Sequence, residues 1–164
     1  MKKIVCVLMM VLGIVVFADT TASVTLLATV AQKLSIAIAP TTWNITINNS
    51  GSEINNASQA TLTIVSSRKN YTVAFSSANS GILKAGSEEI PYYIKVDTSG
   101  WSGNVTSNAL SDYAQLTASK SIVFNNKTPV TGKDFPVGFK VDSYTELYVD
   151  DVYSDTITIT ITSP

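Results

Sequence analysis

Few residues in this sequence are of a type and spacing to do chemistry. Glu88 and Glu89 are adjacent carboxylates, and a glycosidase draws its acid and its base from such a pair. Neighbours in an extended segment point to opposite faces, so these two read as a solvated loop ahead of Ile90. Asp142, Glu146, Asp150, Asp151 and Asp155 gather acid in the C-terminal third, and oxygen-rich clusters bind calcium. Their spacing lacks the glycine and closing glutamate of an EF-hand loop, which leaves ordinary loop acids and calcium ligands both open. The chain has no histidine and one cysteine, Cys6. Without histidine, and with Cys6 inside the apolar N-terminal run, Ser/His/Asp and Cys/His nucleophiles cannot be assembled, nor can zinc or copper sites built on imidazole or several thiolates. No glycine-rich phosphate loop occurs either. The expectation is a protein that is not an enzyme and carries no cofactor.

Aromatic rings are the other candidates, because flat rings stack on sugars. Trp101 follows Ser99-Gly100 in an expected turn and is the best placed for exposure. Tyr92 and Tyr93 are neighbours on an expected strand, so only one of them points inward. The competing reading is that a domain of this size needs aromatics for its core.

The elements that must position these residues follow from a period of two. Val24, Leu26, Ala28 and Val30 alternate with Ser23, Thr25, Leu27 and Thr29, and Leu34, Ile36 and Ile38 continue the alternation. Further strands are expected from Thr42 through Ile47, around Leu62 and Ile64, at Tyr71–Phe75, Ile90–Val96, Ile122–Phe124, Val137–Val141 and Leu147–Val149. The clearest is Thr156–Thr162, with isoleucines on one face and threonines on the other, the signature of a half-buried strand. Clusters such as Asn48-Asn49-Ser50-Gly51 and Asn125-Asn126-Lys127-Thr128-Pro129 read as turns. Ser107–Ser119 alone has apolar residues at loosely helical spacing and is expected to hold a helical turn. About eight or nine short strands predict an all-β fold, an immunoglobulin-like antiparallel β-sandwich.

The N-terminus adds a targeting signal. Lys2 and Lys3 precede an apolar run from Ile4 to Phe17, too short to span a bilayer, which takes about 20 residues. Val16 and Ala18 occupy the −3 and −1 positions for cleavage before Asp19. Residues 1–18 are thus expected to be a signal peptide and residues 19–164 a single exported domain, not inserted in the membrane after cleavage. Without Lys2 and Lys3, 9 basic residues stand against 12 acidic ones. That balance gives nucleic-acid binding no electrostatic support. With no cysteine left, stability must come from core burial and strand pairing.

Several segments together resemble the spore coat protein U family, which includes the pilins of archaic chaperone–usher fimbriae. Tyr153-Ser154-Asp155-Thr156 leading into the Ile/Thr alternation is similar to that family's C-terminal strand. Ala60–Ile64 followed by Asn70–Phe75 resembles its paired central strands, and Ile90–Val96 its tyrosine-containing middle strand. The Ser23–Val30 alternation lies where those pilins carry a donor segment. The family's two cysteines have no counterpart here; Lys33-Leu34-Ser35 occupies the neighbourhood of the first. The resemblance implies a structural subunit of a surface fibre, coat or layer, in the periplasm, at the cell surface or outside the cell. It further implies partners of the same kind and a periplasmic chaperone. Assembly would proceed by β-strand addition, with Val24, Leu26, Ala28 and Val30 filling a neighbour's groove. Residues 19–31 are equally readable as the first strand of their own sandwich. A secreted carbohydrate- or ligand-binding module using Trp101, Tyr92 and Tyr93 is the alternative function.

Overall fold

The computed structural model describes residues 22–164; the expected signal peptide, with Cys6, lies outside them. The described residues fall into two units, residues 22–30 and residues 31–164. The first carries no helix or strand, and all its residues are exposed. Val24 is 83%, Leu26 91%, Leu27 93% and Val30 87% accessible. The first strand of the sandwich is therefore not this segment; it begins at Leu34.

Ten strands build the second unit: β1 Leu34–Ala39, β2 Ile54–Ser66, β3 Tyr71–Ser77, β4 Ile82–Ala85, β5 Glu88–Pro91, β6 Tyr93–Val96, β7 Val105–Asn108, β8 Lys120–Phe124, β9 Lys133–Val141 and β10 Ile157–Thr162. One sheet has the order β1-β2-β9-β6, the other β10-β3-β8-β7, and β4-β5 is a separate hairpin. Every pairing is antiparallel. The protein is an all-β antiparallel sandwich.

The alternation seen in the sequence is the reason. Leu62 and Ile64 of β2, Tyr71, Val73 and Phe75 of β3, Ile122 and Phe124 of β8, and Phe135, Val137 and Phe139 of β9 turn inward, and all are buried. Outward neighbours such as Thr61, Thr63, Thr72, Ser121 and Lys140 are polar. Burying each large apolar side chain contributes about 1.5–3 kcal/mol, so these four strands hold the sheets together without a disulfide. Tyr71 stacks on Phe124 at 4.9 Å between ring centroids, and Tyr92 on Phe139 at 5.5 Å.

The sandwich has two distinct ends. At one, Ser67 Oγ accepts from the Lys33 N–H at 2.8 Å and Thr128 Oγ1 from the Ser66 N–H at 2.9 Å. This gathers residues 31–33, 66–70 and 125–132. At the other, the Tyr144 N–H donates to Gly51 O at 3.0 Å, and Asn49 exchanges two bonds with the Tyr148 backbone. Residues 48–53 and 142–156 gather there.

Several expected elements differ. Residues 42–47 alternate as anticipated, with Trp43, Ile45 and Ile47 half-buried against the core, yet they form no ladder. Leu147–Val149 is a loop, because Tyr144 and Tyr148 are held to the 49–51 turn instead. Ser107–Ser119 holds no helix: Leu110 and Leu116 are buried as two anchors of an irregular connection, and Ala114 bridges to Ile94. The one helical turn among the described residues is a 3-10 segment at Ser99–Asn104. Ile90–Val96 is two strands, β5 and β6, that meet at Tyr92.

Candidate functional site

Among the described residues β1 bonds only to β2, and β10 only to β3, so each sheet presents one of these strands as an edge, and the two edges lie on the same side of the sandwich. Their inward side chains are not fully covered. Leu34, Ile36 and Ile38 of β1 and Ile157, Ile159 and Ile161 of β10 pack on the core and remain half-buried. At the end near residue 32, the two edges are tied together where Gln32 Nε2 donates to Ser163 Oγ at 3.1 Å. Toward the other end they border a cavity of about 440 Å³. Its walls include Ile38, Trp43, Ile45, Ile157 and Ile159, and its floor reaches Phe75, Tyr92 and Phe139. A second cavity of about 370 Å³ continues past Trp43 and Tyr153 between residues 43–49 and 148–153. The result is one long groove, pinched at one end and open at the other, whose isoleucine and aromatic walls are interspersed with Thr42, Asn44, Thr46 and Asn49.

The groove's rims carry unused backbone. Among the described residues, residues 41–47 make no backbone-to-backbone hydrogen bond, although their side chains alternate as in a strand. Buried or half-buried peptide groups are ordinarily paired, and a row of open N–H and C=O groups is a template for another strand. Chemically, the site offers a trough with isoleucine and aromatic walls flanked by donors and acceptors, with Asp155 in the first cavity and Asp150 and Asp151 lining the second.

Asp155 is already occupied. Its Oδ2 accepts from the Tyr92 hydroxyl at 2.7 Å and from Ser77 Oγ, and its Oδ1 from the Asn79 N–H at 3.0 Å. Burial first, and then the bond to Asp155, push the Tyr92 phenol well above its ordinary value. This network fixes where β10 starts, and hence where the groove's wall stands.

The residues singled out from the sequence as ring platforms are not brought together. Tyr92 is buried at 1% accessibility. Trp101 is half-buried, with its ring centroid 5.9 Å from those of Phe124 and Phe135, so it belongs to the core's edge and not to an exposed platform. Tyr93 faces the opposite side of the sheet from Tyr92, where Lys140 lies 5.1 Å from its ring centroid. Lys140 also bonds Asp142 at 2.6 Å, which raises the lysine and holds the carboxyl below its usual range. Glu89 pairs with Lys84 at 2.7 Å. Among the described residues, no three acidic, histidine or cysteine side chains gather to hold a metal ion.

Sequence reasoning found the alternation of Val24, Leu26, Ala28 and Val30 and both groove-lining strands. It missed the groove itself, whose only signal was that the 34–38, 42–47 and 156–162 alternations each offer an apolar face. No helix among the described residues is long and apolar enough to cross a membrane. No protein-family model matches this chain, and no curated protein matches it.

Proposed function

We propose that this protein is an exported, non-enzymatic structural subunit that joins its neighbours by β-strand addition, residues 22–30 of one copy lying in the groove of the next. The observation that carries the reading is the unfilled place beside β10. A seven-strand immunoglobulin sandwich pairs A-B-E-D in one sheet and C-F-G in the other. On that plan β1-β2-β9-β6 would take the A-B-E-D places and β3 and β10 those of C and F, with β8 and β7 extending the second sheet on the far side of β3. Beside β10, where G would lie, the described residues supply no strand.

The segment suited to that place is exposed in the chain itself. Val24, Leu26, Ala28 and Val30 share one face at period two and match a trough of isoleucines on two edges. Covering each large apolar side chain contributes about 1.5–3 kcal/mol, and strand addition pairs the rims' open backbone as well. An uncovered groove of this kind is an aggregation hazard, which a periplasmic chaperone would mask until exchange.

The test uses the full chain carrying Leu26→Asp, which disables its own segment, and a synthetic peptide of residues 22–30. The peptide is expected to raise the melting temperature by several degrees and to protect the amides of β10 from hydrogen exchange. A peptide that leaves both unchanged refutes the reading.

A further inference from the structure

The two ends of the sandwich differ in charge. The end from which residues 22–30 depart carries Lys33, Arg68, Lys69 and Lys127, all exposed. Arg68 Nη2 donates to Gln32 Oε1 at 3.1 Å, which sets that guanidinium beside the root of the segment. The opposite end carries Glu146, Asp150 and Asp151, also exposed, with no lysine or arginine between residues 141 and 164. Exposed apolar side chains accompany each: Val130, 90% accessible, at the basic end, and Leu147, Val149 and Val152 at the acidic end.

We infer that successive copies also meet through a second interface, the basic end of one seated on the acidic end of the next, and that this contact sets the direction in which the segment lies. The inference rests on the strand-addition reading. An inserted segment has two possible directions. In one, residue 30 lies at the acceptor's acidic end, and the donor's Lys33 and Arg68 come down on Asp150 and Asp151. In the other, residue 30 lies at the acceptor's basic end and like charges are pressed together. Residues 31–33 span only about 10 Å when extended, close to the Debye length at physiological salt, so the ends feel each other's charge. Groove shape points the same way. The Gln32–Ser163 bond pinches the basic end, while the cavities open at the acidic end. The segment enters N-terminus first through the open mouth, and residue 30 stays there. Head-to-tail contact of unlike surfaces does not close on itself in a pair and propagates as an open series.

Three full-length variants test this: K33E/R68E/K69E, E146K/D150K/D151K, and the two sets combined, each checked for an unchanged melting transition. Complementary charge governs association rate and its salt dependence. Parent assembly, followed by light scattering, should slow at least about tenfold between 50 mM and 500 mM salt. Each single set should slow it comparably at low salt, and the combined set, with its poles exchanged, should recover most of the rate. The peptide of residues 22–30 contains no charged residue, so it should stabilise a K33E/R68E/K69E/L26D chain as it does L26D alone. Peptide binding with assembly indifferent to all three sets overturns the end-to-end contact and spares the groove. Failed peptide binding with recovery in the combined set overturns the groove and leaves the contact. Loss in the combined set equal to the sum of the two single losses overturns the pairing of the ends.

Discussion

The Tyr92 hydroxyl donates to Asp155 across 2.7 Å, tying the junction of β5 and β6 to the start of β10. Neither group reaches another by accident: Ser77 and the Asn79 N–H bond the same carboxylate, so β3 is held in the same knot. Asp155→Ala leaves the buried phenol without its acceptor, and such an orphan costs about 1–3 kcal/mol. Tyr92→Phe removes both the donor and its need, and should cost less. Urea unfolding of the two variants should rank them in that order; equal losses would show that the carboxylate and not the phenol's burial governs.

Tyr71 differs from Tyr92 in having a buried hydroxyl with no partner among the described residues. Tyr71→Phe keeps the stack on Phe124 and removes an unsatisfied group. Its unfolding free energy at pH 7 should be unchanged or higher by up to about 1 kcal/mol. A loss above that would mean the hydroxyl is bonded in solution.

Burial raises both phenols above their ordinary value of 10.0. A group whose folded-state value is raised contributes stability that is whole below its unfolded value and is lost as pH climbs toward the folded one. The melting temperature should hold between pH 7 and 9 and fall above pH 10. A Tyr71→Phe/Tyr92→Phe double variant should fall less steeply. Parallel curves would assign the alkaline loss to other groups.

Gly81 has φ +76°, and a Cβ there would lie 2.7 Å from the Leu116 backbone nitrogen. Left-handed backbone costs an L-residue roughly 1–2 kcal/mol, and this neighbour is main chain that cannot swing aside. Gly81→Ala should lose at least about 2 kcal/mol in denaturant unfolding, well beyond Gly86→Ala, where the added carbon meets nothing within 4 Å. Equal losses would show that the Leu116 contact relaxes freely.

Leu26 and Leu27 are both more than nine-tenths exposed, so replacing either by Asp should move monomer stability by less than about 0.5 kcal/mol. Period two places them on opposite faces of a strand. Leu26→Asp should abolish assembly by size-exclusion chromatography, and Leu27→Asp should leave it. The reverse result would shift the segment's register by one residue.

The sandwich was legible because its core strands bury one face each, and that imprints a period of two on the sequence. The Ile/Thr run of β10 was readable to within one residue. Residues 42–47 show the limit of that signal: it reports which side chains face apolar surroundings, not whether a backbone partner exists. Leu110 and Leu116 imitate a helix because a loop anchored at two points also spaces its apolar residues irregularly. Tyr92 looked like a surface ring because its need for Asp155, 63 positions away, leaves no local mark. The groove depends on which strands are edges, a property of the whole topology that no segment contains.

The trough between β1 and β10 runs along the strands, from the pinched end to the open one. A segment lodged in it would lie parallel to the line joining one copy to the next. Tension along that line would load the backbone bonds of both rims in shear, all at once, and not peel them one by one from an end. Mechanical strength would then grow with the length of trough occupied, which gives a filament built this way a means of bearing load without a covalent cross-link.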